Sequence, residues 1–315
     1  MMVIPYISRY ASVWDEVVES SANGTFMFQS RFMDYHRNRF CDASVLLGDE
    51  HGKMKGVFPA NYEQDGTVVS HAGLTYGGLL TDANLHATDV MRMLDAVCDY
   101  YKTKGCKRLI YKAVPHIYST SPCEADFYWL IQRGGSIVRR ALSTAINLEA
   151  PLPFSTLRRR RVKKAQENCV TVARSTDFKG FWGILEKNLS ERFGVKPVHS
   201  LEEITLLHSR FPSEILLYTA TASEELVGGV VVFASRSVAH AQYIAANEYG
   251  KEIGALDLIF CTIVSDFQAA DYKWLDFGIS TDHSGAHLNE GLLMQKEGFG
   301  GRSVCYDTYM LNLRV

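Results

Sequence analysis

A short, strongly basic run is the clearest candidate for chemistry in the sequence. Six of the seven residues from Arg158 to Lys164 are Arg or Lys, in a chain whose formal net charge is −2. A guanidinium can hold a phosphate through two parallel hydrogen bonds, and a Lys ammonium adds a compact charge. A nucleotide diphosphate, a coenzyme A phosphate or a tRNA backbone would fit this pattern, and so would a solvated helix face.

A second candidate is the glycine-bearing segment NEYGKEIGALD at residues 247–257. It is predicted to be a loop that leads into a long apolar helix near Gly254. Backbone N–H groups at a helix N-terminus suit a pyrophosphate, although the glycines are also compatible with an ordinary loop. The segment has neither the GxGxxG pattern nor the GxxxxGK[ST] pattern, so it predicts neither a Rossmann site nor a P-loop.

Two further polar segments lie nearer the C-terminus. In the first, residues 276–290, His283 and His287 have a spacing that metal ligands use, but Gly285 interrupts them and no third ligand is well spaced. We therefore predict a polar loop and no metal. In the second, Lys296 and Arg302 flank a glycine-rich turn, which is either a helix end with favourable cations or a ligand contact.

The elements that must position these residues alternate between strands and helices along the whole chain. Helices are predicted at residues 87–104 and 254–270, and strands at 109–114, 239–246 and 273–278. The buried helix at 254–270 separates the last two of these strands. A length of 315 residues fits about two domains, and the proline-bearing segment at 149–155 is the predicted boundary. The expected domains are therefore residues 1–150 and 151–315.

Composition limits the function classes. The near-neutral charge argues against DNA binding, and no segment has the ~20 uninterrupted apolar residues that a membrane span needs. Seven cysteines, an odd number without a CxxC pair, favour reduced thiols. No secretory signal pattern is evident, and the expected location is the cytoplasm.

Several segments together resemble one family. The stretch EGLLMQKEGFGGRSVCYDTY at 290–309 resembles the end of FemABX-like proteins of the GNAT superfamily, in which a lysine-bearing helix runs into a Phe-Gly-Gly turn. The basic run is similar to the helix that opens their second module, and residues 239–270 look like the carrier strand and pyrophosphate loop. Residues 24–28 and 71–78 are similar to BioF2-like, FemAB-type proteins.

This resemblance implies a fold and a reaction. The fold class is mixed α/β, a tandem of two GNAT-like modules, each a mostly antiparallel mixed sheet flanked by helices. The active cleft would belong mainly to the second module, and the closing strand can cross back to the first. The implied reaction is acyl transfer to an amine from acetyl-CoA or from aminoacyl-tRNA.

The resemblance also suggests roles for individual residues. Lys296 matches the family's lysine and would contact a phosphate or a developing negative charge. Asp276 would orient the amine or relay its proton, unless it only caps the following turn. Tyr243 or Tyr309 would donate a proton to the leaving group, or be a packed aromatic. The remaining candidates are the carrier contacts Ile244, Ala245, Gly250, Lys251, Gly254 and Ala255, and the phosphate contacts Arg159, Arg160, Lys163 and Arg302.

Three functions follow as alternatives. The leading one is acetyl-CoA-dependent N-acyl transfer to a sugar-nucleotide or cell-envelope precursor, a substrate class that rests on analogy. The second is a tRNA-dependent aminoacyltransferase of the peptidoglycan-bridge type. The third is a non-catalytic binding module that keeps the fold. The sequence GKEIGA departs from the usual pyrophosphate loop, and this departure favours the third alternative.

Overall fold

The structure, a computed structural model, describes residues 1–282 and 285–313. Within those residues, no helix is both long enough and apolar enough to cross a membrane. The chain contacts divide it into two compact units. The first comprises residues 1–142, 281–282, 285–287 and 305–313, and the second comprises residues 143–280 and 288–304.

This division differs from the predicted linear boundary at residue 150. Residues 281–282, 285–287 and 305–313 follow the second unit's elements in sequence but belong to the first unit. The reason is that the chain returns to the first unit at its end, where the second half of the strand at 302–312 pairs with a strand of the first unit. A closing strand that returns to the first unit was part of the expectation, whereas the linear ranges 1–150 and 151–315 remain a prediction.

The first unit contains two sets of paired strands with helices packed on them. Its regular elements are β1 Met2–Pro5, α1 Ala11–Ser20, α2 Ser30–Met33, β2 Cys41–Asp42, β3 Val45–Gly48, β4 Met54–Phe58, β5 Asn61–Tyr62, β6 Thr67–Val69, β7 Leu80–Thr81, α3 Ala87–Thr103, β8 Arg108–Lys112, α4 Ala125–Gln132 and the first half of β9 Ser136–Asn147. Strands β1, β3, β4 and β7 form one antiparallel sheet. The apolar face of α3 predicted from its periodicity is buried, with Leu94 and Val97 fully inaccessible.

The second unit is an antiparallel meander extended by one parallel strand. Its elements are α5 Thr156–Glu167, β10 Thr171–Ser175, α6 Phe178–Phe193, α7 Leu201–Arg210, β11 Ile215–Ala222, β12 Glu225–Ser235, β13 Val238–Ala246, α8 Glu248–Ile253, α9 Ala255–Ala269, β14 Trp274–Ile279, α10 Glu290–Glu297 and the first part of β15 Arg302–Asn312. Strands β10 to β13 pair antiparallel in order, β14 joins β13 in parallel, and the end of β9 pairs with β14.

Three local predictions were wrong. The predicted loop at 247–253 is the short helix α8, because the Asn247 side chain accepts a hydrogen bond from Gly250 N and caps it. Residues 30–40, whose apolar spacing predicts a short amphipathic helix, form one α-turn followed by a 3-10 segment, since His36 has non-helical angles. Residues 74–80, which the sequence predicts to be extended, are mostly irregular, because Gly78 takes a φ of 88° and its backbone lies against the ring of Tyr111.

Candidate active site

The parallel strands β13 and β14 pair over only a short length. The paired residues run from Val238 with Trp274 to His240 with Asp276. Among the described residues the two strands pair no further, although β13 continues to Ala246 and β14 to Ile279. Strands that separate in this way leave backbone N–H and C=O groups along their facing edges, and such groups can hydrogen-bond a ligand. The side chains at the point of separation are therefore the first candidates for chemistry.

Asp276 stands at this point and organises a buried network. Its side chain is fully inaccessible. Oδ1 accepts hydrogen bonds from Ser143 Oγ at 2.6 Å and from Gly278 N at 3.0 Å, and Oδ2 lies 2.8 Å from His240 Nδ1. When the Asp276 carboxylate is ionised it can only accept, so this contact then requires His240 Nδ1 to carry the proton. Asp276 therefore fixes the tautomer of His240 and also caps the turn after β14, which was the alternative raised by the sequence.

The tautomer leaves the other ring nitrogen of His240 as an acceptor. Within the described part of the chain, Nε2 makes no hydrogen bond, and the His240 side chain is 17% exposed. The imidazole lies over Gly278, where an added Cβ would come within 3.3 Å of Cε1. A neutral imidazole oriented by a buried carboxylate is the arrangement of a general base.

Lys296 reaches the same turn from helix α10. Its Nζ donates to the carbonyl oxygens of Gly278 and Ile279, each at 2.8 Å, and the residue is 5% exposed. Burial lowers the pKa of Lys296 to about 8, although the nearby charge of Asp276 acts in the opposite direction. An ammonium has three N–H donors, so one remains for a ligand beyond the two carbonyl contacts. Lys296, Asp276 and His240 thus converge on one turn.

A β-bulge sets which residues share this face of the sheet. His240 lies opposite Phe233 and Tyr243 lies opposite Val231, while the register shifts between Val231 and Val232. Residues opposite each other in an antiparallel pair point to the same face, and so do residues two apart on one strand. The extra residue of β13, Gln242, therefore brings His240 and Tyr243 to one face, although an odd separation would otherwise place them on opposite faces.

Tyr243 is packed on that face against His199 and Trp182. Its hydroxyl lies 2.6 Å from Nδ1 of His199 and accepts a hydrogen bond from His199 N at 3.2 Å. Its ring meets Trp182 edge-on at 5.1 Å, and the residue is 8% exposed. The predicted proton-donor role of Tyr243 stays a prediction, and His199 is the partner through which the proton would be replaced.

The basic run forms most of helix α5 and divides into two sets of side chains. Arg158 Nη1 and Arg161 Nε donate to the two carboxylate oxygens of Asp257, at 2.7 and 2.8 Å, and Arg161 also donates to the Lys251 carbonyl. Asp257, in the first turn of α9, is 2% exposed. The other set, Arg159, Arg160, Lys163 and Lys164, is exposed. The Lys163 ion pair with Glu167, at 3.7 Å, is a surface pair of little energetic weight.

We expect Asp257→Ala to destabilise the protein by about 3 kcal/mol, because it leaves two partly buried guanidinium groups without their carboxylate. Urea unfolding measures this loss. Glu167→Ala is the matched control, since it removes an exposed pair from the same helix and should cost less than about 0.5 kcal/mol. Equal unfolding midpoints for the two variants would contradict the structural role of Asp257.

The predicted carrier loop is tightly packed at its glycines. A Cβ on Gly250 would lie 2.2 Å from the Val227 carbonyl oxygen. Gly254 has a φ of 83°, and a Cβ there would lie 2.6 Å from the Arg161 carbonyl oxygen. Gly250 N already bonds the Asn247 side chain, and Lys251 Nζ reaches Asn188 and Glu248. The glycines are thus required by packing against β12 and α5, whatever ligand the loop holds.

The structure places the other predicted residues as follows. Ile244 and Ala245 lie on β13 beyond the point of strand separation, and Ala255 is buried at the start of α9. Arg302 is exposed at the start of β15 and donates to the Gly301 carbonyl. Tyr309 lies in the core of the first unit, where its ring stacks on Phe127 at 6.0 Å. Burial raises the pKa of Tyr309. His283, one of the two metal-spaced histidines, lies outside the described residues.

Sequence reasoning missed His240 and Ser143. A usable signal for His240 existed, since it is a polar residue within the strand predicted to border the cleft, beside alanines at 239 and 241. Nothing in the sequence indicated that Ser143, 133 positions before Asp276, would supply its hydroxyl. No group of three or more His, Cys, Asp or Glu residues suited to a metal occurs among the described residues.

Comparisons with known proteins bear on the fold of the chain. Residues 155–284 match a family model described as an acetyltransferase (GNAT) domain. A crystal structure of FemX aligns over 99% of this chain and 97% of its own, with a TM-score of 0.70 and 12% identity. L-PGS from Bacillus licheniformis aligns over 96% and 91%, with a TM-score of 0.61 and 10% identity. No curated protein matches the sequence significantly.

A third solved structure shows the same tandem organisation. A tandem GNAT protein from the clavulanic acid biosynthesis pathway aligns over 100% of this chain and 99% of its own, with a TM-score of 0.53 and 9% identity. The chain therefore has a FemAB-like GNAT fold, as the resemblance predicted. Most of the residues that match the model described as an acetyltransferase (GNAT) domain lie in the second unit.

Proposed function

We propose that this protein is an N-acyltransferase whose reaction takes place in the second unit, where β13 and β14 separate. The observation that carries the proposal is the His240–Asp276 pair at that point, with a bond of 2.8 Å and with Nε2 left as an acceptor. The matched GNAT domain includes both residues. Lys296, which lies outside the matched range, adds a positive charge at the same turn.

The chemistry needs a base, a stabiliser of negative charge and a proton for the leaving group. The amine nitrogen attacks the carbonyl carbon of an ester or thioester, and His240 Nε2 takes the proton that the amine loses. The carbon–nitrogen bond forms as the bond to the oxygen or sulfur of the carrier breaks, and that atom then receives a proton. Backbone N–H groups of β13 and the free N–H of Lys296 would stabilise the developing oxyanion.

The proposed carrier is an aminoacyl ester of tRNA. At the start of α9, where the sequence predicts a coenzyme A pyrophosphate, the Asp257 carboxylate already pairs with Arg158 and Arg161. A diphosphate there would place further negative charge beside a carboxylate that is 2% exposed. The similarity of fold to FemX supports the same carrier, because FemABX-like bridge enzymes use aminoacyl-tRNA.

Acetyl-CoA is the second candidate carrier, since the matched family model is described as an acetyltransferase domain. For either carrier, the proposed acceptor is an amine of a sugar-nucleotide or cell-envelope precursor, on the resemblance to the FemAB-type proteins. A cytoplasmic location and a small-molecule amine partner go with that proposal.

A direct comparison of donors tests the proposal. Purified protein is given a mixed pool of radiolabelled aminoacyl-tRNA, or acetyl-CoA, with a panel of amine acceptors, and amide product is counted. We expect product from aminoacyl-tRNA that depends on His240. Product from acetyl-CoA alone would support the second carrier, whereas no product from either donor would contradict acyl transfer and favour a binding module.

Thermal shift adds a binding measurement that does not depend on turnover. At 100 times its Kd, a ligand stabilises the folded state by about 2.7 kcal/mol. Under the proposal acetyl-CoA produces no such shift. If acetyl-CoA binds with its diphosphate at the start of α9, Asp257→Asn should increase the shift, because it removes the competing carboxylate.

A further inference from the structure

An apolar groove runs along the second unit between helices α5 and α9. Its volume is about 440 Å³, and its lining is mainly apolar: Phe154 and Val162 on one side, and Cys261 and Val264 on the other. Ser265 lies at its edge and is exposed. A contiguous apolar depression on a protein surface is usually a place where something binds.

Two cations line the same groove. Arg159 and Lys163 occur one turn apart on α5, and both are exposed. They differ from Arg158 and Arg161, which the Asp257 carboxylate holds. The groove thus combines an apolar floor with positive charge along one rim, and none of the described residues that line it is Asp or Glu. This charge distribution complements a ligand with an apolar chain and an anionic head.

Further exposed groups extend this character along α5. Arg160 and Lys164 are exposed, and so are the apolar side chains of Leu152 and Leu157, at 43% and 59%. A helix that presents Arg and Lys together with exposed leucine is typical of segments that lie on anionic membranes. Each Lys or Arg near such a surface contributes about fivefold in affinity.

The lining favours a lipid over a single-stranded nucleic acid. Single-stranded nucleic acids bind where aromatic rings stack on their bases. The only aromatic residue in the described lining is Phe154, and its ring already packs edge-on against Phe299 at 5.3 Å. Aliphatic side chains and a thiol offer bases no stacking platform, whereas an acyl chain needs only apolar contact.

We propose that the α5–α9 groove binds an anionic phospholipid of a bilayer, and so docks this protein on an anionic membrane surface. One acyl chain of the lipid lies against Val162 and Val264, and its phosphate lies between Arg159 and Lys163. The site uses neither His240 nor Lys296, so vesicle binding can be measured without the acyl-transfer reaction.

Vesicle co-sedimentation of the full chain tests the proposal. We expect the protein to sediment with vesicles of 70% phosphatidylcholine and 30% phosphatidylglycerol but not with phosphatidylcholine alone, and binding should weaken as salt rises. The double variant Arg159→Gln/Lys163→Gln should bind about 25-fold more weakly. Lys179→Gln/Lys187→Gln is the matched control, because it removes two exposed cations from α6 of the same unit and should bind as the wild type does.

The thiol of Cys261 reports on the groove itself. It is partly buried, and burial raises its pKa, so it should react more slowly with iodoacetamide than exposed Cys169. Peptide mass spectrometry measures both rates in one sample. Phosphatidylglycerol vesicles should slow the alkylation of Cys261 and leave that of Cys169 unchanged. Glycerol phosphate, which has no acyl chain, should protect neither.

A groove-filling variant completes the test. Ser265→Trp places a large side chain in the groove from an exposed position and leaves the cations in place, so its loss of vesicle binding would support the lipid site. Wild-type binding by either Ser265→Trp or the Arg159/Lys163 variant would overturn the proposal. Equal protection of Cys261 by polyuridylate RNA would also overturn it, and would assign the groove to a nucleic acid.

Discussion

Replacing His240 with glutamine is expected to lower kcat for acyl transfer by about 10²–10⁴-fold, the usual contribution of a general base. The reason is that Nε2 is the nitrogen left as an acceptor once Nδ1 bonds Asp276 Oδ2. Single-turnover kinetics with the active donor measure the chemical step directly. His208→Gln is the control, because His208 lies in the same unit and its Nδ1 bonds the Ile215 carbonyl, away from Asp276 and Lys296.

Asp276→Asn tests whether Asp276 orients the His240 imidazole for proton transfer. An asparagine amide facing Nδ1 would donate to it and reverse the tautomer, so Nε2 would carry the proton and lose its basicity. A loss of kcat comparable to that of His240→Gln is expected, and the double variant should be no slower than either single one. Additive losses would show that the two residues do not act as a pair.

Ser143→Ala should have a smaller effect on the rate. It removes the hydrogen bond from Ser143 Oγ to Oδ1 of Asp276, while the bond from Gly278 N and the pair with His240 remain.

Elements with strong local periodicity could be predicted from the sequence. Helix α9 was expected at 254–270 and is Ala255–Ala269, because its apolar residues fill the core beside β12 and β13. Helix α8 was missed since it depends on one side chain, that of Asn247, which caps a turn the glycines had suggested was a loop. The short strand β10 was missed because it is an exposed strand whose alternation of burial is weak.

A site residue could be predicted only where a chemically active residue type occurs next to a recognisable local feature, such as a strand end or a glycine turn. Asp276 at a strand end and Lys296 before a glycine turn stood out along the chain. Their convergence depends on tertiary structure, because α10 brings Lys296 to carbonyls 17 and 18 residues earlier. The sequence also contains no sign that the basic residues fall into two sets. Two of the arginines pair internally with Asp257, which lies about 100 residues further along the chain, while the other cations are exposed.

Lys296→Met is expected to lower kcat at pH 7 by about 10²-fold, because it removes a charged donor from the turn beside His240. With its pKa lowered to about 8, Lys296 is mostly protonated at pH 7 and loses its charge above pH 8. The wild-type rate should therefore fall as pH rises through 8, and the variant should lack this descending limb. A pH–rate profile of both proteins measures the difference, and a wild-type rate in the variant at pH 7 would contradict the role.

Folding stability distinguishes this role from a structural one. The folded pKa of Lys296 is about 8, against an ordinary lysine pKa of 10.5, so the unfolded chain binds the proton more tightly. Wild-type stability should therefore rise between pH 8 and 10.5, and Lys296→Met should remove the part of that rise that comes from Lys296. Lys112 is the matched control: burial also lowers its pKa to about 8, and it bonds the carbonyls of His71 and Ala72. Lys112→Met should flatten the stability profile in the same way and leave kcat unchanged.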